Sequence, residues 1–253
     1  METPRGMADG SIKSAQRVFE VLEYFERERR PLTLKEILDR LGYPASSGSA
    51  LLKAIVAQGY LDYDRERRTY FPTMRIAALG DWVHEALFGD GVLSGLMEHL
   101  HAVTGETVIL AAQSDLHAQY VHVIRSSEPL RFSVPPGTRR TLAKSGMGWL
   151  LLSAKPDVEI EKLRRRINAE AGGEAGLTRE ALMEQVGEVR AQGYVFSKHT
   201  VSDGVGVIAA LLPRGPFGRV FAIGAAGPVS RLEAKQALIV AEIKAGVERV
   251  AGA

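Results

Sequence analysis

The residue types that most often perform catalysis are sparse or scattered in this chain of 253 residues. It contains no cysteine, which excludes disulfide frameworks and thiolate chemistry and fits a reducing compartment. The six histidines form no zinc signature; His99 and His101, for example, lie two residues apart in a helical pattern and point to different faces. There is no Gly-x-Ser-x-Gly elbow and no P-loop, and the Gly-x-Gly segments 146–148 and 204–206 are too short for a dinucleotide fingerprint. The sequence therefore predicts neither an enzyme nor a metal site, and it implies no cofactor.

One short segment between two predicted strands carries three arginines, and its chemistry suits phosphate. Residues 61–64 and 69–72 alternate like the strands of a hairpin, and the tip between them carries Arg65, Arg67 and Arg68. Guanidinium groups on such a tip either bind nucleic-acid phosphates or are simply solvated. The elements that precede the hairpin favour phosphate binding.

Three amphipathic helices lead into this hairpin. The first spans about residues 11–30, and the second begins at Thr33, which forms a capping-box pattern with Glu36, and ends at Gly42. The third runs from about Ser46 to Gln58. Three short helices followed by a basic-tipped hairpin are the layout of a winged helix-turn-helix, in which the third helix enters the major groove and the hairpin contacts the DNA backbone.

The rest of the chain predicts an α+β architecture. We expect a winged helix-turn-helix domain at residues 1–74, a linker helix at 75–90 and a second, α/β domain at 91–253. In that second domain, strands are predicted at residues 107–113, 119–125, 130–134, 194–201, 205–212 and 219–225, and helices at 144–154, 157–169, 179–192 and from 230 to the end.

Composition and charge are those of an ordinary globular protein rather than of a polycation. Hydrophobic residues make up 45% of the sequence and charged residues 25%. The formal net charge is +2, and the excess lies in residues 1–80, which hold 13 Lys and Arg against 11 Asp and Glu. No apolar run approaches about 18 residues and residues 1–10 are polar, so we expect a cytoplasmic protein that does not enter the membrane.

Segments along nearly the whole chain resemble one known family, the IclR-type transcriptional regulators. The resemblance is carried, in order, by residues 14–22, 33–41, 58–61, 100–108, 130–138, 145–148, 192–194 and 224–228. It implies a homodimer or a dimer of dimers, that is a homotetramer, on double-stranded operator DNA. It also implies a GAF-like C-terminal domain that binds a small-molecule effector. Repression is the expected sense of regulation, and the residues leave activation open.

Two groups of residues are expected to contact DNA. They are Ser46, Ser47, Ser49 and Lys53 on the third helix, and Arg17, Arg65, Arg67 and Arg68 on the first helix and the hairpin. Serine discriminates weakly between bases, whereas members of the family usually place a bulky residue or an arginine here. Gly48 is a candidate for close approach to the DNA backbone, or these small residues are only a capped helix start. The departure keeps two alternatives open: a small-molecule sensor or scaffold with weak or lost specific DNA binding, and a metabolic enzyme fused to a helical domain.

The resemblance also implies an effector pocket between a helix start and the sheet. Its expected lining is Ser145, Gly146, Met147, Arg140, Ser197, Val207, Gly224 and Ala226, with Phe132, Trp149 and Phe196 as walls. Amides at the helix start suit an anion. Of positions 197, 207, 224 and 226, where the family often has acidic, hydroxyl or thiol groups, only Ser197 is polar. We therefore expect an aromatic or otherwise hydrophobic acid, with core packing as the alternative role for Met147, Trp149 and Phe196.

Overall fold

A computed structural model describes residues 13–89, 91–171, 176–215 and 218–252. The chain divides into two compact units, Met1–Glu85 and Ala86–Ala253. Each unit has its own hydrophobic core, which is the physical basis for treating them as separate domains. The long helix α4, Met74–Phe88, runs across the boundary between them.

The first unit is a winged helix-turn-helix, as the sequence predicts. Its elements in chain order are α1 Lys13–Glu28, β1 Leu32–Thr33, α2 Leu34–Leu41, α3 Ala45–Ala57, β2 Leu61–Asp64 and β3 Thr69–Pro72. The three strands form an antiparallel sheet in the order β1-β3-β2. Its core is built from side chains of all three helices and of the sheet, among them Val21, Phe25, Ile37, Leu52 and Leu61.

The start of α2 is fixed by a side-chain cap. The Thr33 hydroxyl accepts a hydrogen bond from the Glu36 amide at 3.3 Å, and the Glu36 carboxylate accepts one from the Thr33 amide at 2.8 Å. This reciprocal pair is the predicted capping box. Gly42 ends the helix with φ +68°, a left-handed conformation that favours glycine.

Helices α2 and α3 approach each other at a glycine. Gly48 is buried, and a Cβ atom built on it would overlap the side chain of Leu38. The residue therefore permits helix-to-helix packing. The hypothesis that Gly48 brings the backbone of α3 close to DNA was wrong, because this glycine lies on the inner side of the helix.

The second unit combines a six-stranded sheet with six helices and a short 3₁₀ turn in its described part. Its elements are α5 Val92–Thr104, β4 Thr107–Ser114, β5 His117–Ile124, β6 Arg139–Thr141, α6 Gly146–Ser153, α7 Asp157–Glu170, α8 Arg179–Gln192, β7 Val195–Lys198, β8 Val205–Leu211, β9 Phe221–Pro228, α9 Val229–Ala234 and α10 Gln236–Ala251, with the 3₁₀ turn at Leu142–Lys144. The strand order is β6-β5-β4-β9-β8-β7, and every pairing is antiparallel.

Helices cover both faces of this sheet. On one face, α6, α7 and α8 pack with alternate strand residues such as Ile109 and Ala226. On the other face, α5, α9 and α10 pack with the intervening residues such as Val108 and Ala225. The alternation follows from the two-residue period of a strand, which sends neighbouring side chains to opposite faces.

Two segments depart from the predicted elements. Residues 130–134, predicted as a strand, form no strand, and the edge strand is Arg139–Thr141 instead. The loop holds its place through its carbonyl groups: Thr107 donates to the Phe132 carbonyl at 2.6 Å and Arg231 donates to the Leu130 carbonyl at 2.9 Å. The predicted C-terminal helix is divided at Lys235 into α9 and α10.

A buried ion pair joins α9 to the start of β4. The Glu106 carboxylate is fully buried, and both of its oxygens accept hydrogen bonds from the Arg231 guanidinium, one of them at 2.6 Å. Gly227 makes room for this carboxylate, because a Cβ atom there would overlap Oε2. Arg231 therefore links the sheet, helix α9 and the 130–134 loop.

Candidate functional sites

One side of helix α3 faces solvent and is made of small residues. Its exposed residues recur with helical spacing and are here called the solvent face of α3: Ser46, Ser47, Ala50, Lys53, Ala54 and Ala57. The opposite side carries the buried residues Leu52 and Ile55. Ser49 is half-buried at the edge of the face. Three predicted DNA-contacting residues, Ser46, Ser47 and Lys53, therefore lie together, with Ser49 beside them.

The serines of α3 do not cap its amides. The N-cap residue is Pro44, which makes no side-chain hydrogen bond, and the Ser47 hydroxyl donates to the Pro44 carbonyl at 3.2 Å. These serine side chains therefore do not cap the start of α3. Ser46 stays exposed on the outer surface.

The hairpin tip presents its arginines to solvent. The Asp64 carboxylate accepts hydrogen bonds from the amides of Glu66 and Arg67 at 2.9 and 3.0 Å, which fixes the turn. Arg68 has φ +51°, so the turn closes through a left-handed residue. Arg67 lies 4.0 Å from Asp64 with its side chain 80% exposed, a contact weak enough to be exchanged for a phosphate. Arg65 and Arg68 are also exposed.

Arg17 is held at the turn between α2 and α3. Its guanidinium carbon lies 4.9 Å from the centre of the Tyr43 ring, in cation–π geometry. The Tyr43 hydroxyl donates to the Glu20 carboxylate. Burial, followed by this hydrogen bond, raises the pKa of Tyr43, which keeps the phenol protonated as a donor. Arg17 therefore lies next to the turn that joins α2 and α3 and is not part of the hairpin tip.

In the second unit, the predicted helix start is formed and capped. The Ser145 hydroxyl accepts from the Gly148 amide at 3.2 Å and donates to the Thr141 carbonyl at 3.0 Å. Helix geometry leaves the amides of Gly146 and Met147 without an intrahelical acceptor. Ser145 therefore caps the start of α6. The amides that remain for an anion are those of Gly146 and Met147.

Several predicted effector positions share one row of the sheet. Ser197 pairs with Val207, Val207 with Ala226, and Ala226 with Thr107, on the face that α6 covers. Gly146 packs directly on this row: a Cβ atom there would lie 2.5 Å from Ser197 Oγ and 3.3 Å from Val207 Cγ1. The helix start and the strands are therefore in close contact.

Gly224 lies in the next row of the same face. It pairs with Ala209 and Ile109 in neighbouring strands. A Cβ atom on Gly224 would overlap Ala209, so the absent side chain allows the strands and their small side chains to pack.

Arg140 brings a positive charge to the same face. It lies opposite Ala118 in the β5–β6 pair, and directly opposed residues share a face. Burial is the main cause that raises the pKa of Tyr120, and the nearby Arg140 guanidinium acts in the opposite direction. The Arg140 Nε is buried and has no hydrogen-bond partner among the described residues. A buried N–H without an acceptor is unfavourable, so this atom is ready to receive one.

The predicted walls divide between the two faces of the sheet. Phe132, Met147 and Trp149 pack in the core cluster under α6, and the Trp149 indole N–H donates to the Ala143 carbonyl at 3.0 Å. Phe196 packs in the cluster of the opposite face, with Lys198 Nζ 4.5 Å from its ring centre. Placing Phe196 in the same pocket as its neighbour Ser197 was wrong, because consecutive strand residues point to opposite faces.

Three cavities of the second unit lie elsewhere on its surface. Their volumes are about 300, 200 and 220 Å³, and they are lined respectively around Lys155 and Arg214, around His117 and Asn168, and around Leu87 and Phe221. None of the predicted effector positions lines any of these three.

Metal chemistry and membrane insertion find no support in the described residues. Within residues 13–89, 91–171, 176–215 and 218–252, no group of three or more His, Asp or Glu residues could hold a metal ion. Over the same part of the chain, no helix is both long and apolar enough to span a bilayer.

The structure adds four residues to those that the sequence indicates. Ala50 and Ala54 lie on the solvent face of α3, and the helical spacing of that segment could have found them. Tyr120 contacts Arg140, and its alternation with Ala118 placed it on the same strand face. Thr107 holds the loop through a hydrogen bond to the Phe132 carbonyl. The two residues are 25 positions apart, so no local sequence pattern predicts this contact.

Two family models match the chain. The model described as the IclR helix-turn-helix domain matches residues 14–65, and that of the bacterial transcriptional regulator IclR C-terminal domain matches residues 91–251. Among curated proteins, the chain is 26% identical over 243 residues to the transcriptional repressor IclR of Escherichia coli K12, covering 89% of this chain and 83% of that protein. It is 27% identical over 225 residues to the regulator BhcR of Paracoccus denitrificans, covering 82% and 77%.

Solved structures of related proteins share the fold. The effector domain of the regulator IclR from Acinetobacter sp. ADP1 is 30% identical with a TM-score of 0.61, covering 67% of this chain and 99% of that one. A Rhodococcus sp. RHA1 regulator has a TM-score of 0.71 at 21% identity over 95% of this chain and 97% of that one. An IclR homologue from Microbacterium hydrocarbonoxydans, solved with 4-hydroxybenzoate, has a TM-score of 0.68 at 20% identity over 95% of this chain and all of that one.

Proposed function

The chain belongs to the IclR family of bacterial transcriptional regulators, and we propose that it is a repressor whose operator binding is controlled by an aromatic or otherwise hydrophobic acid. The family consists of DNA-binding regulators and not of enzymes. Several curated relatives are repressors by name, which supports repression here. A regulator acts where the DNA is, so a cytoplasmic location follows from the proposal.

The observation that carries the effector class is the buried Arg140 Nε without a partner. A carboxylate would supply the missing acceptor and pair with the guanidinium charge. The amides of Gly146 and Met147 at the start of α6 offer further donors to an anion, and the helix dipole favours negative charge there. An acid therefore suits this face better than a neutral or basic ligand.

The remainder of the face is apolar, so the part of the ligand beyond its carboxylate is hydrophobic. Val207 and Phe132 are half-buried and supply apolar surface, whereas Ala226 and Met147 are buried in the core cluster beside them. Among positions 197, 207, 224 and 226, Ser197 is the one polar residue. Removing apolar ligand surface from water against such a lining is favourable. A solved relative that contains 4-hydroxybenzoate supports an aromatic acid in this fold.

The effector test compares a carboxylate with its neutral isostere. Thermal unfolding of the full chain is measured with benzoate and with benzamide. A ligand at about 100 times its Kd stabilises the folded state by about 2.7 kcal/mol, so benzoate should raise the Tm while benzamide leaves it unchanged. Arg140→Gln should abolish the benzoate shift.

Arg139 supplies the matched control for that variant. It is the neighbouring arginine on β6 and points to the other face, so Arg139→Gln should keep the full benzoate shift. Equal shifts for benzoate and benzamide, or a benzoate shift that survives Arg140→Gln, would refute the assignment of an acid to this site.

We propose that the DNA contacts divide between bases and phosphates. The solvent face of α3, with Ser46, Ser47 and Lys53 and with Ser49 at its edge, lies in the major groove, and Arg65, Arg67, Arg68 and Arg17 bind phosphates. Each phosphate contact releases counterions and adds about 0.9 to the slope of binding against salt on a logarithmic scale. Replacing the three hairpin arginines by alanine should weaken binding to every duplex and flatten that slope. An unchanged affinity and slope would contradict it.

Helix α4 supports assembly into a homodimer or a dimer of dimers. Among the described residues of this helix none is buried, and Met74, Leu79 and Trp82 are 82%, 59% and 60% exposed. Exposed apolar side chains of this size mark interaction sites, and a second copy of the chain is the occupant we propose. Sedimentation of Leu79→Glu should show a smaller species than the native chain.

Control by the effector follows from a shift between arrangements of the paired DNA-binding domains. Two half-sites on a duplex have a fixed spacing, so only some arrangements of a dimer bind both. An acid that binds one arrangement more tightly shifts the population towards it. The linker helix, which runs into the second unit, is the element through which we propose that this shift is transmitted.

One observation favours a second candidate function. The solvent face of α3 carries no arginine, asparagine or glutamine, the side chains that read guanine and adenine with two hydrogen bonds. The alternative is a sensor or scaffold that binds DNA without sequence preference. Selection of duplexes from a random pool distinguishes the two, because only a specific regulator enriches one sequence.

A further inference from the structure

Three of the six residues on the solvent face of α3 are alanines, which present only methyl groups. Ala50, Ala54 and Ala57 recur at helical spacing along its centre, and all three are exposed. The Ser47 hydroxyl is engaged with the Pro44 carbonyl at 3.2 Å. Lys53 has a single ammonium group, which binds as a point charge. A helix with this surface reads little of the hydrogen-bond pattern of the bases.

Short side chains have a geometric consequence. A recognition helix contacts base edges mainly through the residues in its first turns, and long side chains hold its axis away from the groove floor. Ala50 and Ala54 extend only to Cβ, so the backbone of α3 can approach the base edges closely. Helix α3 is rigidly supported from behind, because Leu52 and Ile55 are buried and Gly48 packs against Leu38.

The major groove has one apolar feature that matches a methyl surface. Thymine carries a C5-methyl group there, and alanine is among the side chains that pack against it. Guanine and cytosine carry no methyl group there, and an alanine against their polar groups would desolvate them without returning a hydrogen bond. The composition of the face therefore discriminates in favour of thymine without a bidentate contact.

We propose that this protein reads its operator through thymine C5-methyl groups that pack on Ala50 and Ala54 of the solvent face of α3. The inference rests on the proposed function as a specific DNA-binding regulator. It assigns a chemical basis to base recognition in a helix whose solvent face carries a single long polar side chain, Lys53. Ala57, at the last position of α3, lies farthest from the residues that enter the groove.

The test removes the methyl groups from the DNA. Duplexes enriched from a random pool by the full chain are compared with the same duplexes in which thymine at each position is replaced by deoxyuridine, which pairs identically but lacks the methyl. Burial of one such group changes binding by about fourfold. We expect a loss of about fourfold at a small set of thymines in each half-site and no loss at the others.

A double comparison separates contact with Ala50 from a change in DNA shape. Ala50→Gly removes the protein methyl, so the preference for thymine over deoxyuridine should disappear at the position it contacts. Ala57→Gly removes a methyl group at the far end of the face and should keep the preference; because Ala57 ends α3 and Ala50 lies in its interior, the stability of both variants is measured alongside binding. Lys53→Ala should weaken thymine and deoxyuridine duplexes equally, because a point charge does not distinguish a base with the C5-methyl group from one without it.

The outcomes distinguish the inference from the function on which it rests. Enrichment of a specific sequence with equal affinity for its thymine and deoxyuridine forms would overturn the methyl readout and leave the regulator intact. A thymine preference that survives in both Ala50→Gly and Ala54→Gly would also overturn it. No enrichment of any sequence would instead refute the proposed function itself.

Discussion

Gly146 offers the sharpest test of how the start of α6 packs on the sheet. In Gly146→Ala the new Cβ would lie 2.5 Å from Ser197 Oγ and 2.8 Å from Ser197 Cβ. Rotation of the serine side chain moves Oγ but not Cβ, so the clash is relieved only if α6 or β7 shifts. Overpacking of this kind costs about 1–3 kcal/mol, and we expect that loss in the free energy of unfolding measured by urea denaturation.

Two further variants make the result interpretable. Ser197→Gly removes both clashing atoms, so adding it to Gly146→Ala should recover stability with a coupling energy of about 1 kcal/mol or more. Gly187 lies exposed within α8 with open space around its Cα, and Gly187→Ala should stabilise by about 0.5–1 kcal/mol. If Gly146→Ala were as stable as Gly187→Ala, or if Ser197→Gly gave no recovery, the close contact between α6 and the sheet would be refuted.

Two predictions concern charged groups. Removing Arg231 leaves the fully buried Glu106 carboxylate unpaired, so Arg231→Leu should cost about 3–5 kcal/mol in urea denaturation, whereas Lys198→Ala at an exposed pair should cost less than about 1 kcal/mol. The amide and hydroxyl of Thr33 lower the pKa of Glu36 to about 2, so its stabilisation is present above the unfolded value of about 4.3 and is lost as the pH falls through about 2. The native chain should therefore be more stable than Glu36→Gln at neutral pH, with the difference vanishing between about pH 5 and pH 2; a difference that does not change with pH would contradict the capping box.

Individual helices could be predicted because the caps and the periodicity that determine them lie within a few residues of each other in the sequence. The capping box at Thr33 and the helix Arg179–Gln192 each combine a cap with helical periodicity, and both are found as predicted. The strand prediction for residues 130–134 failed although these residues alternate between apolar and polar side chains, as a half-buried strand does. Their carbonyls are satisfied by Thr107 and Arg231, which are distant in sequence, and no local pattern encodes such contacts.

The candidate sites were predictable to the extent that residue type decides them. The exposed hairpin arginines follow from turn chemistry. Ser197 and Val207 were expected from the family resemblance, and their pairing depends on a strand register that residue type alone does not determine. The free Nε of Arg140 does not follow from residue type either, because it depends on which acceptors reach a buried atom in three dimensions. Phe196, in contrast, could have been excluded from the predicted pocket by sequence alone, because the two-residue period of a strand places it on the face opposite Ser197.

Control of specific DNA binding by a small acid can be measured in one titration. The full chain is bound to the enriched duplex in the presence of excess competitor DNA, fluorescence anisotropy reports the bound fraction, and benzoate is then added. The account predicts binding roughly 10³-fold tighter than to competitor, and release on addition of benzoate in the native chain but not in Arg140→Gln. Equal affinity for both DNAs, or a complex that benzoate leaves unchanged at concentrations that raise the Tm, would contradict it.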